Sequence, residues 1–301
     1  MPRNFSVSLI IGVAPSLGFA HSSNGNSSLL HLEPWVLLPL SVITVLYIIG
    51  LIRIRRHRVW NNLRRKILYF SLALLCLLLA LVWPLEVLSG RSFAAHMLQH
   101  MLLLSVAAPL LALARPLPIL LAALPRTSRR ALILKYRRSY LRPWRFLSRP
   151  TIAFALHAVI IWAWHAPAAF QLALENDAFH ILEHFMFLTS AHLFWWSMFH
   201  QGGNRVRRYG ANTLWMLSTL IHTGFLGALL TFAGYPLYSY YLLQAKAEGL
   251  LWNLSPLEDQ QLGGTFMWVL GAGPYFVGGL VLALYCLRAL ERRADLQQSQ
   301  A

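Results

Sequence analysis

The chain has 301 residues, 57% of them hydrophobic, and a formal net charge of +16 from 26 Lys and Arg against 10 Asp and Glu. A mean hydropathy of +0.53 excludes an ordinary soluble domain, because the apolar residues gather in runs about 20 long, the length that crosses a bilayer. The charge does not mark a nucleic-acid protein: the basic residues flank apolar runs, where they attract anionic lipid, and no recognition helix, zinc finger or aromatic RNA-binding motif accompanies them.

Residues 1–20 read as a signal peptide, with Arg3, the mostly apolar run Val7–Val13 and the small-x-small ending Gly18-Phe19-Ala20. Residues 21–34 follow as an external segment, residues 35–288 as a seven-helix transmembrane domain and residues 289–301 as a cytoplasmic tail. The expected spans are about Trp35–Ile52, Ile67–Leu85, Phe93–Ala114, Ile152–Ala169, Phe179–Phe199, Thr213–Ala233 and Thr265–Leu287. Pro39, Pro84 and Pro167 stand near span ends. Pro109 and Pro274 stand deeper, where helix neighbours must accommodate them. No repeat, low-complexity tract or linker divides the chain, so one all-α polytopic bundle is the expected fold.

Of the 26 basic residues, 23 fall in four segments: Arg53–Lys66, Arg115–Arg149, Arg205–Arg208 and Arg288–Arg293. Only Arg3, Arg91 and Lys246 fall elsewhere. Lys and Arg concentrate in cytoplasmic loops, which puts the N-terminus outside and the C-terminus inside. The basic stretch Arg126–Arg149 reads as a membrane-hugging loop. Cys76 and Cys286 lie in apolar runs with no paired spacing and read as packing residues.

Ionisable side chains inside a hydrocarbon span cost about 2.5–3.5 kcal/mol when charged and mark function by default. Five histidines stand at the outward ends of expected helices. His96 and His100 (FAAHMLQHMLLL) and His180 and His184 (FHILEHFMFL) are pairs four residues apart, and His165 lies in IWAWHAP. Such a pair shares one helix face and can aim two imidazoles at one point. Asp259-Gln260-Gln261, Met267 and Trp268 open the last span at the same level. Imidazole is the commonest protein ligand for transition metals. The expected ligands are therefore His96, His100, His165, His180 and His184. Glu183 and Asp259 are expected to orient imidazoles, and Met97, Met101 and Met267 to serve as auxiliary soft donors.

Thioether beside imidazole suits copper, while three histidines could equally hold zinc. His180-x-x-Glu183-His184 also has the spacing of the inverted zinc-protease motif, but nothing else in the chain suggests a hydrated catalytic cleft. A lone membrane histidine usually bonds a neighbouring helix, for about 0.6–2 kcal/mol. That reading suffices for His157, His192 and His222, which lie nearer mid-membrane without partners in spacing. His21 and His31 read as solvent-exposed, and His57 and His200 as incidental. Gly263-Gly264 reads as backbone access or close helix packing, and Trp164, Trp252 and Trp268 as interfacial anchors.

Four segments in order, AAHMLQHMLLLSVAAPLLAL, WAWHAPAAFQLAL, HILEHFMFLTSAHLFWW and DQQLGGTFMWVLG, resemble the caa3-type cytochrome c oxidase assembly factor family over roughly Arg64 to Arg288. The resemblance carries over at His96, His100, His165, His180, Glu183, His184, Asp259, Gln260, Gly263, Gly264, Met267 and Trp268. It implies a non-enzymatic, multi-pass protein of the bacterial plasma membrane that helps copper reach a haem-copper oxidase. Its partners would be oxidase subunits, the lipid bilayer and an external copper carrier. Which residues bind copper is a chemical reading that the resemblance does not supply. The alternatives are a b-type membrane cytochrome with paired histidines on haem, or a membrane copper transporter.

Overall fold

A backbone in lipid must satisfy its own N–H and C=O groups, and the apolar runs of this chain are accordingly helical. The computed structural model describes residues 34–54, 60–200, 205–247, 249 and 251–298. The signal peptide of residues 1–20, the external segment up to residue 33, and His21, His31 and His57 lie outside them. The first half of the chain forms α1 (Pro34–Ile54), α2 (Trp60–Leu81), α3 (Leu85–Ser89), α4 (Phe93–Met101), α5 (Ala108–Ala114), α6 (Leu117–Ala122), α7 (Arg126–Ser139) and α8 (Leu141–Leu147). The second half forms α9 (Pro150–His165), α10 (Pro167–Glu175), α11 (Asp177–His200), α12 (Arg205–Thr231), α13 (Ser239–Ala247), α14 (Pro256–Phe266) and α15 (Ala272–Gln298).

Among the described residues, five stretches are long and apolar enough to cross a membrane: Trp35–Ile54, Leu63–Ser89, Phe93–Ala114, Val206–Thr231 and Pro256–Gln298. A sixth results if α8 and α9, bent 72° apart, form one broken span. The protein is all-α and multi-pass, with five or six spans by apolarity where seven were expected. The remaining expected span lies in α11. At 24 residues α11 is long enough, but His180, Glu183, His184, His192 and His200 set it apart from the apolar helices.

Several boundaries differ from expectation: the second span runs Leu63–Ser89 rather than Ile67–Leu85, and the sixth begins about two turns earlier, at Val206. The fourth span stops at His165 rather than Ala169: Ala166 is extended, because a residue before proline avoids the helical region, and Pro167 begins α10. The seventh span begins earlier, at Pro256, and its helix continues through the basic tail to Gln298. The stretch Arg126–Arg149 is no open loop but the largely exposed helices α7 and α8.

Both deep prolines follow a π-helical segment. Leu102–Ala107 joins α4 to α5 ahead of Pro109, and Met267–Gly271 joins α14 to α15 ahead of Pro274. Local π adjustment is one way a spanning helix absorbs a residue that lacks an N–H. The backbone carbonyls of both segments also find side-chain donors. Trp195 Nε1 donates to Leu104 O at 3.1 Å, and Ser105 Oγ donates to Gly271 O at 3.3 Å, tying the two segments together.

The main core gathers Phe93, Phe170, Phe187, Phe194 and Trp195, all essentially inaccessible. Trp164 belongs to this core at 8% exposure and is not an interfacial anchor, whereas Trp252 and Trp268 are exposed. Gly263 and Gly264 permit close approach. A Cβ at Gly263 would stand 2.5 Å from the Phe93 ring, and one at Gly264 2.6 Å from Thr231 N. By contrast α1 buries little beyond Tyr47, which stacks on Phe70 of α2 at 3.8 Å, and leaves Trp35, Leu38, Val45 and Ile52 exposed. Cys76 and Cys286 are unbridged and half-buried.

Candidate metal centre

Local signals set the helices that carry the histidines. Ser92 caps α4: its Oγ accepts from Ala95 N at 3.2 Å and donates to Asp259 Oδ1 at 2.6 Å. Asp259 Oδ2 accepts from Phe93 N at 2.6 Å, and Oδ1 from Ala94 N at 3.3 Å. A buried carboxylate from α14 thus satisfies the first donors of α4 and complements its dipole. Asp259 therefore anchors the helix bearing His96 and His100 and does not hold an imidazole itself. Asn176 caps α11 by accepting from Ala178 N and Phe179 N, at 3.0 and 3.3 Å, which places His180, Glu183 and His184 in its first two turns. Tyr238 Oη donates to His165 O at 3.1 Å, joining the end of α9 to the segment before α13.

The paired spacing does bring the rings together. The two Nε2 atoms of His96 and His100 are 2.8 Å apart. Glu183 Oε2 lies 3.7 Å from the first and 3.8 Å from the second. The point equidistant from three atoms at these separations is about 2.0 Å from each, the usual length of a Zn–N or Zn–O bond. His184 supplies a fourth ligand atom, and all four lie within 4.8 Å of one another. Glu183, expected behind an imidazole, is itself in the ligand set. His180 sits beside them, its ring centroid 4.2 Å from His184 and 5.3 Å from His96. His165 is farther out, with its centroid 6.2 Å from His100.

Hydrogen bonds fix which nitrogens are available. His165 Nδ1 donates to Ile161 O at 2.7 Å, which leaves its Nε2 with a lone pair. Burial, reinforced by the Asp259 charge, holds the Tyr241 phenol well above the usual tyrosine range, so it stays protonated. Its single proton goes to Ser89 O at 2.8 Å. His96 Nδ1, 3.4 Å away, must then be the donor toward Tyr241, and its Nε2 is free to ligate. Among the buried atoms without a hydrogen-bond partner, seven lie at this end of the bundle: Gln99 Oε1, His100 Nδ1, His165 Nε2, His180 Nε2, His184 Nε2 and both oxygens of Glu183. Each such atom costs about 1–3 kcal/mol if left so. A cation between the α4 pair and α11 would satisfy the Glu183 carboxylate and the His184 imidazole together, and the donor chemistry fits one.

The thioethers are placed for packing. Met97 and Met101 occupy the helix face about 100° round from His96 and His100. The Met101 sulfur fills the space a side chain at Gly271 would take, and Met97 and Met267 are enclosed in the main core. His157 is fully paired, with Nδ1 at 3.2 Å from Ser190 Oγ and Nε2 at 3.0 Å from Tyr275 Oη. His222 Nδ1 accepts from Trp162 Nε1 at 3.3 Å.

Three participants escaped sequence reasoning. Glu86 on α3 stands 3.6 Å from His180 Nδ1 through Oε1. Gln99 Nε2 donates to Glu86 Oε2 at 2.5 Å and to Ala80 O at 2.8 Å. Tyr241 fixes the His96 ring, as described. Gln99 carried a faint signal, being a polar residue between the paired histidines. Glu86 and Tyr241 carried none, because only tertiary contact brings them in.

Residues 45–289 match the family model described as cytochrome c oxidase caa3 assembly factor. No curated protein and no solved structure matches the chain. Since that match spans most of the sequence and takes in every histidine of the cluster, the chain belongs to the cytochrome c oxidase caa3 assembly factor family.

Proposed function

We propose that this protein binds copper as cargo at His96, His100, Glu183 and His184, and passes it to a nascent haem-copper oxidase at the outer face of the bacterial plasma membrane. The observation that carries this reading is the convergence of those four buried ligand atoms, with both Glu183 oxygens and His184 Nε2 lacking a hydrogen-bond partner. Imidazole and carboxylate bind most first-row divalent ions, and Cu(II) most tightly among them. The family name supplies the oxidase. The family name, an assembly factor, and a buried ligand set suit holding an ion rather than hydrolysis, so the protein is read as a carrier and not an enzyme.

Haem held between the two α4 histidines is disfavoured by the same geometry. Two Nε2 atoms 2.8 Å apart on one helix leave no slot for a macrocycle between them. A transport path through mid-membrane is disfavoured because His157, its first candidate step, is committed to Ser190 and Tyr275. The outer location follows from the 23 basic residues gathered in four segments away from the histidine end.

Deletion should abolish haem-copper oxidase activity and lower the copper content of its subunits, while copper-free respiratory branches continue. Protein purified without a polyhistidine tag should retain copper. An oxidase with normal copper and activity in the deletion strain would refute the assembly role. A reporter fused after Arg292 should be cytoplasmic and one near Lys246 external; the reverse would remove the outer site.

A further inference from the structure

The cluster has a second, more open part. Glu86, His180 and His184 form another set whose ligand atoms lie within 4.8 Å of one another, and His184 belongs to both sets. The two sets differ in access. The side chains of His96, His100 and Glu183 are fully enclosed, whereas those of His180 and Glu86 are 18% and 22% exposed. Gln99 holds Glu86 in place: it is anchored to Ala80 O and donates to Glu86 Oε2, leaving Oε1 facing His180 Nδ1. Gln99 stands between His96 and His100 on α4, so the helix of the enclosed set also braces the open one. The buried Nε2 of His180 and that of His184 have no hydrogen-bond partner.

Resting on the copper reading above, we propose that Glu86, His180 and His184 are a loading station, at which copper first binds before moving into the enclosed His96–His100–Glu183 station while His184 stays attached. A fully enclosed site exchanges slowly with its surroundings, because an ion must lose every outside ligand before gaining an inside one. A shared imidazole removes that difficulty. His184 keeps one bond while Glu86 and His180 are exchanged for Glu183 and the α4 pair. The ring centroids are spaced for short steps, at 4.2 Å from His180 to His184 and 5.4 Å from His184 to His100. The ion keeps its oxidation state, and only metal–ligand bonds form and break. Glu86 is thus a metal ligand of the outer station, and the direction of transfer follows from exposure.

The test measures rate and capacity separately on full-length protein in detergent, with Cu(II) as the probe. In Glu86→Gln, which keeps the acceptor for Gln99, the final capacity should match wild type. Uptake should slow by about tenfold or more, the lower end of what losing a metal-site partner costs. Glu86→Asp should restore part of the rate, and an unchanged thermal midpoint in both variants would show the bundle intact. His100→Ala should do the opposite: rapid uptake, weaker retention, and a paramagnetic spectrum with two coordinated nitrogens where wild type shows three. Uptake by Glu86→Gln at the wild-type rate, with wild type holding copper, would overturn the loading station and leave the enclosed site standing. Failure of wild type to bind copper would overturn both.

Discussion

The protein holds two buried histidine environments on the same helices, and they are finished differently. His157 on α9 uses both ring nitrogens, on Ser190 of α11 and Tyr275 of α15. Two turns further along α9, His165 faces α4 and the start of α11, where seven buried polar atoms lack a partner. The same α11 that supplies Ser190 to the first supplies His180, Glu183 and His184 to the second. Neutral imidazole in a bundle needs one donor and one acceptor nearby, and His157 has groups that can provide them. The end cluster places imidazoles against imidazoles and a carboxylate, a combination completed by a cation better than by the protein. A histidine that ties helices together and one poised for metal are distinguished by this balance, not by burial, since both are enclosed.

The sharpest way to break this contrast is at the anchor of α4. Asp259→Ala removes the acceptor for Ser92 Oγ, Phe93 N and Ala94 N and should cost on the order of 4 kcal/mol, read as a lower unfolding midpoint in detergent, with copper retention lost alongside. An unchanged midpoint would mean that α4 is held by packing alone. Next in size, Glu183→Gln should weaken copper binding by about 100-fold or more without lowering the midpoint, because neither Glu183 oxygen has a protein partner to lose. His100→Ala should weaken binding to a similar extent but also lower the midpoint, since it empties a fully buried position packed on Phe187 and removes the contact to His96 Nε2. The His100→Ala, His184→Ala double variant should lose little more than either single one, as ligands of one ion act together. Additive losses would separate the two residues into different sites.

His157→Ala should give the converse, a loss of about 0.5–1.5 kcal/mol in stability for each of the two hydrogen bonds to Ser190 and Tyr275, with copper affinity unchanged. Copper loss there would erase the distinction between the environments. The smallest effect is expected at His222. Its bond from Trp162 is long and exposed, so His222→Ala should cost about 0.6 kcal/mol and leave metal binding alone. His57→Ala, outside the described residues, is the companion control for copper titration.

Much of the bundle was legible because hydrocarbon leaves a helix few alternatives, so apolar runs announced α1 and the Phe93–Ala114 stretch nearly to the residue and α2 to within about two turns. α11 was legible as a helix but not as an apolar one, since the histidines that reveal the site also dilute its hydropathy. The end of α9 was misjudged by continuing a helix through Ala166 to Ala169, although Pro167 carried the warning. Trp164 was taken for an interfacial anchor because tryptophan favours that depth, and only packing shows it to be a core residue.

For the site, local spacing alone determined that His96 with His100, and His180 with His184, each share a helix face, because 3.6 residues per turn leaves four-apart positions nearly aligned. Which faces meet, and at what height, depends on helix order and on contacts between residues far apart in the chain. Tertiary structure alone decided that Glu183 stands against the His96 and His100 rings while Asp259 caps α4, although both are acidic residues at the same end. It also brought in Glu86 and Tyr241, and turned the thioethers of Met97 and Met101 toward packing. A carboxylate has the same chemistry at every position in the chain. What it does is set by the nearest donors, and those come from other helices.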